Sequence, residues 1–211
     1  MARDEERLGR SQQPPLVAGL PVDAPGILAA IKLTPGLGVH LRGLADELLV
    51  HDFPGATISR AEREMIATAV SAGNDCFYCM DSHGAFASVL LEQAGAADRV
   101  PLIDDLKHGS TGRLNAKLRA LIDIASIVRR DPLALTAGEV AAACAAGASD
   151  GDIQLAVLIA SAFSMYNRLV DGFRAPTPPS VEIYRPRAAE IAASGYSGPP
   201  ARPSAASPAP D

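Results

Sequence analysis

The sequence predicts an all-α fold of roughly six to eight helices. Three observations carry that reading. Apolar residues recur at helical spacing through most of the chain. Helix-capping signatures stand in front of several of those runs. Composition points the same way: of 211 residues, 48% are hydrophobic but only 4% aromatic, and tryptophan is absent. A core of Ala, Leu, Val and Ile suits close helix packing better than a sheet, which draws on aromatic and β-branched residues. The length fits one domain with tails.

Residues 1–24 read as a polar, Pro-interrupted arm and residues 25–175 as the helical domain. Within it, 25–33 forms a short helix stopped by Thr34-Pro35-Gly36. The run 37–51 carries Leu37, Leu41, Leu44, Leu48 and Leu49 on one apolar face. Asp52 to Gly55 is a turn, and Ser59 with Glu62 is a capping box opening helix 60–73. After a Gly73-Asn74-Asp75 break a second helix runs from Cys76 to about Gly95, with Asn74 or Asp75 as its N-cap. Residues 97–108 read as a short helix with Pro101 in its first turn. The stripe Leu114, Leu118, Leu121, Ile122, Ala125 and Val128 makes 113–130 the clearest core helix. Thr136 and Glu139 repeat the capping box before 137–146, where Cys144 reads as a small buried hydrophobe. Ser149 or Asp150 caps helix 151–173. Residues 176–211 form a Pro-rich arm or tail, with 180–193 laid on a neighbouring subunit and 195–211 disordered.

Several function classes lose support. The net charge is -5 and no basic patch is dense enough for nucleic acid. No run reads as the ~20 apolar residues of a membrane span, and the polar N-terminus lacks a signal-like apolar segment. Three cysteines do not make a secreted disulfide framework, so the cytoplasm is the expected compartment.

The informative stretch is Glu64 to His83. Cys76 and Cys79 form a Cys-Phe-Tyr-Cys pair, and His83 follows four residues after the second cysteine. On a helix these three share a face, with Phe77 and Tyr78 turned aside. At a helix start the free N–H groups and the dipole favour a thiolate, which makes Cys76 the thiol of lowered pKa. Spacing alone leaves three chemistries open: a redox dithiol, a zinc site completed by His83 and Glu64 or water, and two structural thiols. His40 and His51 read as polar-face or capping residues. Asp81, Ser82 and Gly84 read as exposed or closely packed, and Asn167, Arg168 and Asp171 as surface or packing positions.

The pattern Glu64, eleven residues, Cys76-x-x-Cys79, three residues, His83 resembles the alkylhydroperoxidase D branch of the carboxymuconolactone decarboxylase-like superfamily, and within it the peroxidase-related members. The runs ISRAEREMIATAVSA (58–72) and NRLVDGF (167–173) add to the likeness, which covers roughly residues 30 to 185. The resemblance implies an all-helical homo-oligomer that reduces hydroperoxides without a cofactor, using a dithiol or thiol–disulfide protein as reductant. It implies that Cys79 is the peroxidatic cysteine, Cys76 the resolving one, and Glu64 with His83 a proton relay. Cys76 would then meet the reductant at the mouth, with Cys79 deeper. The best-studied members carry histidine immediately before the second cysteine. This chain has Tyr78, a poor proton shuttle at neutral pH. Rival readings are a decarboxylase or lactone-ring enzyme of the same superfamily, whose members characteristically lack the cysteine pair, and a non-catalytic redox sensor or scaffold with a reversible disulfide.

Overall fold

Helices form where apolar spacing and caps place them. The computed structural model describes residues 14–198 and Gly9. Among the described residues there are nine α-helices and no strand: α1 (Ile27–Leu33), α2 (Pro35–Leu49), α3 (Arg60–Gly73), α4 (Phe77–Gln93), α5 (Pro101–Lys107), α6 (Ala116–Arg130), α7 (Ala137–Ala145), α8 (Asp150–Gly172) and α9 (Tyr184–Ser194). The Ser59/Glu62 and Thr136/Glu139 capping boxes both form. Ser149 caps α8 and is answered by Asp152 in a third box.

The core lies between α3, α6 and α8, which pack on one another. Met65, Ile66 and Ala67 of α3, Leu118, Leu121 and Ile124 of α6, and Leu155, Ile159 and Phe163 of α8 are all essentially inaccessible. Such a core is worth about 25 cal/mol per Å² of apolar surface removed from water. At 23 residues, α8 is long and apolar enough by length and composition to cross a membrane, a feature the sequence reading did not register. Half of its most apolar window is buried within the bundle, as befits a central core helix.

The N-terminus of α8 also pins the loop before α3. Asp152 has no exposed surface. It accepts from the Thr57 and Ile58 backbone N–H groups (2.6 and 2.9 Å) and the Thr57 hydroxyl (2.8 Å), and pairs with Lys117 Nζ of α6 at 2.7 Å. The loop comes so close that a Cβ at Gly151 would meet the Gly55 and Ala56 backbone at 2.5 Å. Only glycine permits that approach.

Five expectations need correction. Leu37 and Leu44 are exposed while Leu41, Leu48 and Leu49 are buried, because α2 meets the bundle along a narrower strip than the leucine pattern suggests. Cys144 is exposed, since α7 lies at the edge and buries only Ala143 fully. The segment expected to reach a neighbouring subunit is α9, which packs on this chain's own α4 through Ala188 and Ile191 against Phe86 and Val89. Gly195 to Gly198 are ordered against the bundle; residues 199–211, also expected to be disordered, lie outside the described residues. Residues 14–24, read as part of a polar arm, contribute Leu20 and Ala24 to the cluster around the cysteines.

Burial alone would raise the Asp152 pKa. The Lys117 pair and the hydrogen bonds from Thr57 and Ser149 outweigh it and hold this carboxyl below the ordinary range. A depressed carboxylate pKa stabilises the fold above the unfolded value, about 3.9, and that contribution is lost as pH falls toward the folded value. Asp152→Ala leaves Lys117 without its carboxylate and three N–H groups, of Thr57, Ile58 and Ser149, unanswered, so urea unfolding at pH 7 should show a loss of roughly 3–5 kcal/mol. The gap between wild type and variant should narrow below about pH 4.

Candidate active site

The turn between α3 and α4 sets the cysteine positions. Asn74 terminates α3 and Asp75 takes a left-handed conformation (φ 55°). Cys76, not Asn74 or Asp75, is therefore the N-cap of α4, with extended backbone and no side-chain capping bond. The Asn74 amide is turned away from the helix start to donate to Asn167 Oδ1 (2.8 Å). Asn167 in turn donates to Ser71 Oγ (3.1 Å), and Arg129 donates to the Gly73 carbonyl (2.6 Å). The Cys76 N–H closes the turn on the Ser71 carbonyl at 3.1 Å. Asn167 is thus a buried structural residue, whereas Arg168 is exposed and donates to the Ser164 carbonyl of its own helix.

Both cysteines are reduced and buried, Cys76 fully and Cys79 at 3% exposure. Cys76 lies among Leu20, Ala24, Ala29 and Val170. Its interaction with the neighbouring Cys79 thiol, with burial and the charge of Asp171, drives its pKa far up. The helix-start argument for a low-pKa Cys76 fails here, because the side chain points into an apolar cluster rather than along the N–H groups. The order of depth is also reversed: Cys79, not Cys76, lines the cleft.

Glu64 and His83 meet as expected. Glu64, wholly buried on α3, lies with Oε2 2.7 Å from His83 Nδ1. A carboxylate only accepts, so the histidine carries its proton on Nδ1 and Nε2 is the nitrogen left for chemistry. A third partner was not expected from the sequence. Tyr196, beyond α9, donates from its hydroxyl to Glu64 Oε1 (2.6 Å), and the same oxygen lies 3.2 Å from His83 Nδ1. Its ring stacks on the imidazole at 5.9 Å and meets Phe86 edge-on. Gly195 (φ 74°) turns the chain so that the Tyr196 and Ser197 N–H groups fall on buried Asp46, at 2.6 and 3.0 Å. Burial and Glu64 raise the Tyr196 pKa well above 10, so it remains a donor. Tyr78 does not join this group through any hydrogen bond. Its ring packs on Gly26 and meets Tyr184 edge-on at 5.6 Å, and burial raises its pKa.

The remaining sequence candidates fall away from the chemistry. His40 and His51 are exposed, His51 beside Glu47 at 3.0 Å. Asp81 is buried and pairs with Lys107 of α5 at 3.0 Å. Among the described residues no group of three His, Cys, Asp or Glu side chains is arranged to hold a metal ion.

Cys79, His83 and Tyr196 share a cleft of about 50 Å³ with Tyr78, Ile27, Ile31, Leu41, Ala45, Phe163, Tyr166 and Arg42. It holds a few water-sized atoms. A second cleft, about 60 Å³, adjoins it and shares Ile27, Ile31, Arg42, Tyr78, His83 and Tyr196.

The signature of the carboxymuconolactone decarboxylase family matches residues 42–98, a stretch that holds Glu64, Cys76, Cys79 and His83 but stops far short of Tyr196. No curated protein matches the chain significantly. Among solved structures the chain is similar to an alkylhydroperoxidase AhpD core, an uncharacterized peroxidase-related protein from Ralstonia eutropha JMP134. They share 25% identity over 76% of this chain and 80% of that one, with a TM-score of 0.61. It also shares its fold with an uncharacterized peroxidase-related protein from Silicibacter sp. TM1040, at 23% identity over 81% of this chain and 91% of that one, TM-score 0.62. The alkylhydroperoxidase D-like fold and the likeness to its superfamily, expected from the cysteine motif, are thus established.

The accessibility order gives a test that needs no turnover. With excess iodoacetamide on reduced protein, mass spectrometry of peptides should show Cys144 alkylated first, Cys79 later and Cys76 last. Labelling of Cys76 ahead of Cys79 would contradict this placement.

Proposed function

We propose that this chain is a thiol-dependent peroxidase that reduces hydroperoxides through Cys79 and Cys76. One observation carries the reading: His83, held by buried Glu64 and closed by Tyr196, lines the same cleft as Cys79, with Cys76 one helical turn away. The likeness to peroxidase-related structures supports it. In the proposed cycle His83, oriented by Glu64, takes the Cys79 proton. The thiolate attacks the distal peroxide oxygen, the O–O bond breaks, and the departing alkoxide recovers that proton as an alcohol, leaving Cys79 as sulfenic acid. Cys76 displaces water from it to form the disulfide. A dithiol then reopens the disulfide and is itself oxidised, so peroxide plus dithiol become alcohol, water and a disulfide.

A reducible pair of this kind fits a cytoplasmic setting, where thiol reductants are available. Homo-oligomerisation is part of the proposal. Exposed Leu37 with Leu44 on α2, and Leu158 with Met165 on α8, each seven residues apart and so on one face, support it. The decarboxylase-type reading leaves both thiols without a task.

A peroxide-consumption assay with excess dihydrolipoamide separates these readings. Cys79→Ser should abolish turnover, and Cys76→Ser should permit a single oxidation without cycling. A redox sensor would oxidise once even as wild type. Glu64→Gln should slow oxidation about 10²–10⁴-fold, and Tyr196→Phe, which removes one donor from that carboxylate, at least about 10-fold. Full turnover in Cys79→Ser would overturn the assignment.

A further inference from the structure

Arg42 is the residue the proposed cycle leaves unused. It lies half-buried on α2 and lines both clefts at their junction. Among the described residues its guanidinium makes no hydrogen bond and no ion pair. The nearest acid in sequence, Asp46 one turn on, is taken up by the Tyr196 and Ser197 N–H groups. Among the described residues no carboxylate lines either cleft, and the only other Lys or Arg there, Arg187, is paired with Glu190 at 2.8 Å. Apart from Cys79, His83 and Ser82, the remaining walls are aliphatic side chains and aromatic rings. A half-buried guanidinium without a partner loses hydration and gains nothing in return. Its planar fork matches a carboxylate in bidentate fashion.

We infer that the cleft selects an alkyl hydroperoxide carrying a carboxylate, held by Arg42 while the peroxide group reaches Cys79. The inference rests on the peroxidase reading and adds the substrate class. The two residues line one small cleft, so acid and peroxide stand only a few carbons apart. The carboxylate takes no part in the redox step: the peroxide accepts two electrons from Cys79 and the carboxylate is unchanged in the product.

The test compares a short tertiary alkyl hydroperoxide ending in a carboxylate with its methyl ester, using wild type and Arg42→Gln. Neutral dihydrolipoamide is the reductant, so the peroxide supplies the only carboxylate. Wild type should prefer the acid by at least about 10-fold in kcat/KM. That ratio should fall to near one in Arg42→Gln and return in part in Arg42→Lys. Equal rates on acid and ester in wild type, or an unchanged ratio in Arg42→Gln, would overturn the inference. So would discrimination confined to the dithiol, seen as dihydrolipoate outpacing dihydrolipoamide while acid and ester peroxides react alike. A second readout does not depend on turnover: octanoate should slow alkylation of Cys79 in wild type more than methyl octanoate does, and Arg42→Gln should erase the difference. Protection without turnover would uphold the carboxylate site and reject the peroxidase. Turnover with neither protection nor acid preference would do the reverse.

Discussion

A carboxylate with no exposed surface organises this molecule. Burying Glu64 is costly unless its oxygens are answered, and they are answered from two places. His83 of α4 takes one oxygen and Tyr196, from the segment after α9, takes the other. Charge-assisted hydrogen bonds of this kind contribute about 1.5–3 kcal/mol each. Withdrawing either donor would leave an oxygen without water or protein to replace it. Glu64 therefore couples α3, α4 and the C-terminal segment. Asp46 repeats the device with backbone donors, fixing the chain at Tyr196 and Ser197. The tail is ordered there because two buried carboxylates require what it carries.

The same economy of burial divides the two thiols. A helix N-terminus favours a thiolate only where the sulfur can face the free N–H groups or retain some hydration. Cys76 does neither; it lies fully buried in an apolar cluster. One turn along, Cys79 borders the cleft and has His83 on the same helical face. The sulfur that can meet a ligand is thus the one beside the acid–base pair.

Much of this was legible in the sequence, and the failures have physical causes. Capping boxes are local, so those of Ser59 and Thr136 could be read directly, while the last helix left Ser149 and Asp150 as alternative caps and the structure takes Ser149. The turn before Cys76 could not, because Asn74 is drawn to Asn167 on a helix over ninety residues away. Periodicity predicts which residues share a face but not how wide a strip a neighbour covers. Leu37, Leu44 and Cys144 were misplaced for that reason. Glu64 and His83 stand on opposite sides of a helix break; the family resemblance suggested their meeting, and spacing alone did not. Tyr196 was hidden by composition, since a Gly-, Ser- and Pro-rich stretch reads as disordered. Its one signal is that it is the last aromatic of the chain, set directly after a glycine.

The tyrosine in the cysteine motif invites the view that it replaces the histidine found at that position in better-studied relatives. The geometry argues otherwise. Tyr78 is packed against Gly26 and Tyr184, its burial favours the neutral phenol, and neither Glu64 nor His83 is its hydrogen-bond partner. A hydroxyl does stand at the acid–base pair, but it arrives from Tyr196, more than a hundred residues further along the chain. Because that phenol is also held neutral, it can donate to Glu64 and fix the imidazole's orientation without itself releasing a proton near pH 7. The hydroxyl that fixes the imidazole of His83, which lines the cleft with Cys79, thus belongs to Tyr196 and not to the tyrosine of the cysteine motif.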